Sequence, residues 1–99
     1  MTKADRARFD AFQTIGCVAC RKRGIFNQAD VHHLLSGGKR RGHQFTIPLC
    51  PAHHRGFNHN ESMHGPSLAK SPRKFREAFG SDATLLALTN KLIGGTVNE

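Results

Sequence analysis

The chain has 99 residues, fifteen Lys and Arg against seven Asp and Glu, and a formal charge of +8. That length suits one small domain and excludes a second, and the charge points to a polyanionic partner, most often nucleic acid. Three cysteines, an odd number, argue against a closed disulfide framework, and no window is apolar enough to span a membrane.

Thr2 followed by Asp5 resembles a capping box and predicts a helix over residues 3–15. Its apolar stripe is read as Ala4, Ala7, Ala11 and Phe12, and Gly16 ends it. Cys17-Val18-Ala19-Cys20 reads as a tight turn and Arg21-Lys22-Arg23-Gly24 as a basic loop. Residues 29–35 and 43–49 read as strands, the second with Phe45, Ile47 and Leu49 on one face and Pro48 at an edge or strand end. Between them, Ser36-Gly37-Gly38 and Lys39-Arg40-Arg41-Gly42 form a flexible basic turn that closes a hairpin. Pro51 opens a short helix carrying His53 and His54, and residues 57–70 read as an irregular loop. Ser71-Pro72 starts a helix that Gly80 stops. Ser81 caps a last helix over 82–93, with Leu85, Leu88 and Leu92 a turn apart, and Gly94-Gly95 ends it. The N-terminal residues lack the apolar core of a signal peptide, so the expected location is the cytoplasm, where thiols stay reduced.

Cys17-x-x-Cys20 and Cys50-x-x-His53 are two half-sites suited to tetrahedral zinc, and together they use every cysteine. Burial and chain ordering nearly cancel at this length, so a structural zinc would matter to folding. Four protein ligands leave such an ion no open position. His54 is the alternative fourth ligand. Residues 21–49 separate the half-sites, enough chain to insert the hairpin.

All seven histidines lie between His32 and His64. A strand histidine and a helix histidine could build a second, open metal site, and imidazole is the natural general base near neutral pH. Adjacent strand residues point to opposite faces, so His32 and His33 share one site only where the strand twists or bulges. Arg21, Lys22, Arg23 and Lys39, Arg40, Arg41 form two basic triplets suited to DNA phosphates, followed by Lys70, Arg73, Lys74 and Arg76. Contacts of this kind carry little sequence specificity and weaken strongly with salt.

Gly16-Cys17-Val18-Ala19-Cys20, Val31-His32-His33-Leu34-Leu35-Ser36-Gly37-Gly38, Gly42-His43 and Thr46-Ile47-Pro48-Leu49-Cys50-Pro51-Ala52-His53-His54-Arg55-Gly56 together resemble an HNH (ββα-metal) endonuclease. More narrowly, they are similar to the phage-type Ref family of RecA-dependent nucleases. The resemblance runs from about Gly16 to about Gly80. It implies an α+β fold, a small zinc-stapled ββα-metal domain with flanking helices. Residues 1–99 would be a single domain, with an N-terminal helix over 3–15, a zinc and ββα core over 16–65 and C-terminal helices over 71–93.

Position by position, the resemblance makes His33 the general base. It makes His32 and His54 ligands of a catalytic divalent ion (Mg²⁺, Mn²⁺ or Zn²⁺). His32 stands where the family commonly has Asp, which favours a softer metal than Mg²⁺. His43 stands nearest the family's Asn and would orient His33 or touch the phosphate. His64, ahead of His59, would complete the metal shell or grip phosphate, and Arg55 would contact phosphate. The implied reaction is hydrolysis of DNA phosphodiesters, with a RecA-type recombinase filament as a further partner and the host cytoplasm as location if the chain is phage-encoded. A non-catalytic zinc module that binds nucleic acid is the alternative. An adaptor that docks through the 82–93 helix is a third reading.

Overall fold

The computed structural model of the chain describes residues 1–56 and 65–97, the side chains of 95–97 excepted. Five helices and four short strands are laid out in it: α1 (Lys3–Ile15), α2 (Val18–Lys22), β1 (Asp30–His33), β2 (Leu35–Ser36), β3 (Lys39–Arg40), β4 (Thr46–Leu49), α3 (Pro51–Arg55), α4 (Pro72–Phe79) and α5 (Asp82–Val97). The result is a small mixed helix and sheet fold.

The Thr2 hydroxyl accepts from the Asp5 amide and the Asp5 carboxylate accepts from the Thr2 amide, which closes the capping box and starts α1. The buried face of α1 differs from the expected alanine stripe. Ala4 and Ala7 are exposed, and the inward residues are Asp5, Arg8, Ala11, Phe12 and Ile15. Two charged groups can lie on that face because each is satisfied. Arg8 Nε donates to Thr46 Oγ1 at 2.9 Å and Nη1 to Asn90 Oδ1 at 2.7 Å, while Nη2 donates to the Thr46 carbonyl. Gln44 Nε2 donates to Asp5 Oδ1 at 2.8 Å, and this bond leads in holding the Asp5 carboxyl down at about 2. Arg8 thereby joins α1, β4 and α5 through polar contacts that hydrophobic periodicity does not register.

Cys17-Val18-Ala19-Cys20 is not a bare turn. Cys17 N-caps α2, its sulfur accepting from the Cys20 amide, and Arg21 and Lys22 belong to the last turn of that helix rather than to a loop. The hairpin forms in two stages. β1 and β4 pair antiparallel in unbroken register, Asp30 with Leu49 through His33 with Thr46. β2 and β3 continue it as a ribbon turned by Gly37-Gly38, both at positive φ (59° and 81°) as a tight two-residue hairpin requires. The second strand starts at Thr46 rather than at residue 43. Gly42, at φ 102°, and a bond from the Phe45 amide to the Gly42 carbonyl hold residues 42–45 in a turn.

All of β4 is buried, Thr46 and Pro48 as well as Ile47 and Leu49, whereas Phe45 stays exposed. The reason is that β4 is packed by α2, α3 and α5 as well as by β1. One core runs from Ala11 and Ile15 through Val18, Leu34, Ile47 and Leu49 to Phe75, Phe79 and Leu85. Leu88 and Leu92 lie partly buried against it, so the leucine stripe of α5 faces the core. Ser81 Oγ accepts from the Thr84 amide at the start of α5. The helix passes through Gly94-Gly95 to Val97 because glycine weakens a helix without forbidding it. No helix among the described residues is long and apolar enough to cross a membrane.

Candidate functional site

The start of α2, the hairpin and α3 together place two clusters of metal-binding chemistry. In the first, the ligand atoms of Cys17, Cys20, Cys50 and His53 all lie within 4.8 Å of one another, and all four residues are buried. The Cys20 and Cys50 sulfurs are 3.7 Å apart. His53 Nδ1 lies 3.2 Å from Cys50 Sγ, 3.3 Å from Cys20 Sγ and 3.6 Å from Cys17 Sγ. Around tetrahedral zinc, sulfur pairs lie about 3.8 Å apart and nitrogen–sulfur pairs about 3.6 Å. The donor set therefore fits a structural metal ion such as zinc. Contact with Cys20 pushes the Cys17 thiol up, whereas donation from Cys17 and Cys20 pushes the Cys50 thiol down. A bound cation would draw all three toward thiolate. Phe79 packs edge-on against the His53 ring, with centroids 5.2 Å apart, so α4 closes the cluster from outside.

The choice between His53 and His54 follows from helix geometry. Consecutive residues turn by about 100° around a helix axis. On α3, His53 enters the cysteine cluster while His54 turns to β1. There His32 Nδ1 lies 3.2 Å from His54 Nε2. Two imidazole nitrogens on one tetrahedral ion lie about 3.3 Å apart, so this pair is also spaced as two ligands of a shared metal. His54 Nδ1 is buried without a hydrogen-bond partner among the described residues, and the Asp30 carboxylate lies 3.8 Å from it. Asp30 is two residues before His32 on the same strand face, and Arg55 Nη2 donates to it at 2.9 Å. An imidazole that ligates through one nitrogen while its other N–H faces a carboxylate is the usual second contact of metal-bound histidine. Asp30 carried no role in the sequence reading, although its i, i+2 relation to His32 was visible there.

His33 and His32 do not share partners. The regular register of β1 sends them to opposite faces, and His33 Nε2 lies 3.1 Å from Nδ1 of His43 in the 42–45 turn. The Phe9 ring of α1 meets His43 edge-on, with centroids 5.6 Å apart. Four histidines thus form two pairs at the end of β1, with His33 close enough for its charge to act on His32. Burial holds the His32 imidazole down at about 4, with the charge of His54 adding to this. Burial lowers His33, helped by Arg40 and His43, and lowers His54 against the opposing pull of Asp30. His32, His33 and His54 are therefore neutral at pH 7, the form that can ligate a metal or take a proton.

The basic residues divide as well. Lys39 and Arg40 are exposed on β3, with Arg40 close enough to His33 to disfavour its protonation. Arg41 stacks over the Phe45 ring at 4.2 Å. Of the first triplet, Arg21 donates to the Ile15 carbonyl and Lys22 to the Phe79 carbonyl, and Arg23 is exposed. Arg55 is committed to Asp30, and Arg73 and Arg76 face Glu77 and Asp82. His59 and His64 lie outside the described residues.

A family model described as "Recombination enhancement, RecA-dependent nuclease" matches residues 1–94. No curated protein and no solved structure gives a match.

Proposed function

The chain belongs to the recombination-enhancement, RecA-dependent nuclease family, and from that premise we propose that it is a metal-dependent DNA endonuclease of HNH (ββα-metal) type. In this reading β1, β4 and α3 form the ββα unit, residues 1–99 are one domain, and the Cys17, Cys20, Cys50 and His53 cluster staples it with zinc. The observation that carries the proposal is the His32–His54 pair at metal-ligand spacing with Asp30 behind it.

His32 and His54 would hold a divalent ion, which when bound supplies positive charge opposite the phosphate and the leaving 3′ oxygen. His33, the last residue of β1 and close enough for its charge to act on His32, takes a proton from water as that water attacks phosphorus, and its neutral state at pH 7 suits the task. His43, in contact with His33, fixes the orientation of the base. The Asp30 carboxylate, 3.8 Å from His54 Nδ1, favours a proton on that nitrogen and so leaves Nε2 free to face the ion. Lys39, Arg40 and Arg41 on one side and Arg23 on another hold the DNA backbone, so cleavage is largely indifferent to sequence and falls with salt. Arg55 serves Asp30 first and reaches phosphate only by leaving it. His64 is kept as a further ligand or phosphate contact. DNA and a RecA-type filament are the partners, and the cytoplasm, a host's if the chain is phage-encoded, is the place of action.

The test is cleavage of supercoiled plasmid with Mg²⁺, Mn²⁺ or Zn²⁺, alone and with a recombinase filament, beside His33→Ala. Metal-dependent cleavage lost in the variant is expected. No cleavage under any condition, or equal cleavage by the variant, would sink the proposal.

A further inference from the structure

Beyond the histidines, an open cleft of about 310 Å³ is lined by Arg21, Gly24, Ile25 and Phe26. It lies on the segment that follows α2, outside the His32–His54 and His33–His43 pairs. Ile25 and Phe26 are 46% and 57% exposed, adjacent large apolar side chains left in solvent. A mobile loop would fold such groups away, but this one is tied to the cysteine turn by its backbone. The Ile25 amide donates to the Cys20 carbonyl, the Gly24 amide to the Arg21 carbonyl, and the Cys17 amide to the Asn27 carbonyl, each at 3.0 Å. Asn27 Nδ2 adds a bond to Cys20 Sγ.

The Phe26 ring is seated against the Gly16 backbone. A Cβ at position 16 would stand 2.7 Å from that ring and 2.7 Å from the Asn27 carbonyl oxygen. Gly16 is at φ 71°, so glycine both makes the turn and leaves room for the ring. Arg21 also lines the cleft, and its Nη1 donates to the Ile15 carbonyl at 3.1 Å, which holds the guanidinium in place. An exposed aromatic ring and a planar guanidinium lining one cleft are both surfaces on which a flat π-system stacks. The volume is at the lower end of ligand pockets, roughly 300–1,000 Å³, and admits one ring system rather than a folded domain. Exposed Arg23 beside it and the charge of +8 select an anionic owner for that ring.

We propose that the cleft lined by Arg21, Gly24, Ile25 and Phe26 is a nucleobase-stacking site that takes one unpaired base of a single-stranded DNA segment. In a duplex both faces of each base are already stacked, so only an unpaired or extruded base can enter. The proposal gives the first basic triplet a role that backbone contact alone does not. Arg21 forms a wall, Arg23 meets the phosphate, and Lys22 holds α2 to α4 through the Phe79 carbonyl. It deepens the nuclease reading by naming the DNA form that is gripped, yet its test needs no cleavage, so the two fail separately.

Binding of a fluorescently labelled single-stranded oligonucleotide, its duplex and an abasic strand of equal length is measured by anisotropy. The proteins are wild type, Phe26→Ala and Phe26→Leu, the last retaining apolar packing on Gly16 without the π-face. Both variants should bind the single strand about five- to a hundredfold more weakly. Affinity for the duplex and the abasic strand should change less than about twofold. Thermal midpoint and bound metal are read alongside, and if Phe26→Ala does not fold, Phe26→Leu decides. Single-strand affinity equal to wild type, or an equal loss on all three ligands, would overturn the proposal.

Discussion

The cysteine cluster and the histidine quartet meet on α3, yet they are built to opposite plans. Cys17, Cys20, Cys50 and His53 are all buried, with four ligand atoms within 4.8 Å of one another, the number a tetrahedral ion needs. His32, His33, His43 and His54 are only half-buried and stand in pairs, each too few to fill a metal's coordination shell. A closed set leaves nothing for substrate and can serve only to hold the chain together. An open set leaves positions for phosphate and water. His53 and His54, one residue apart on a five-residue helix, belong to different sets because a helix turns between them. The closed cluster fixes α3, and α3 sets His54 opposite His32.

The largest effect should come from the closed set. Cys20→Ala, or chelation of the metal, should remove far-UV helix signal and cooperative unfolding, since structural zinc supplies on the order of 10 kcal/mol of folding energy in small domains. A variant that stays folded without metal would erase the distinction between the clusters. His33→Ala should lower the cleavage rate by about 10²–10⁴-fold while bound metal and thermal midpoint hold. A parallel loss of stability would make His33 structural. Asp30→Asn should weaken the divalent ion proposed at His32 and His54 by roughly ten- to a hundredfold, read by titrating cleavage against metal concentration. The cysteine cluster should be untouched by it, and unchanged metal dependence would remove Asp30 from the site.

These residues were not equally legible in the sequence. The cysteine cluster could be read because its ligands fall in two local pairs, and local spacing survives folding. The histidine pairs could not be read that way, since His32 meets His54 and His33 meets His43 only through strand register and a turn. Their strand and helix positions suggested an open site, and the resemblance assigned each histidine its role. The turn at 42–45 hid inside an alternating pattern, and the buried face of α1 was missed for a related reason. Periodicity counts alanines and discounts charges, yet Arg8 and Asp5 lie inward because Thr46, Asn90 and Gln44 satisfy them.

The smallest effect concerns that same polar face. Asp5 is held at about 2 against an ordinary value of 3.8, so its carboxylate stabilises the fold above pH 3.8. That contribution is lost as pH falls from 3.8 through about 2. The advantage in thermal midpoint of wild type over Asp5→Asn should be constant from pH 5 to 8 and narrow below pH 4. An advantage that persists unchanged in acid would show that the carboxylate's charge is not what matters there.

The separation of staple from reaction site is tested most directly by the double variant His32→Ala/His54→Ala, assayed for bound metal, helix content and plasmid cleavage in one preparation. The division of labour predicts one tightly held metal per chain, wild-type helix signal and no cleavage. Cleavage at the wild-type rate, or loss of the tightly held metal along with the histidines, would contradict it.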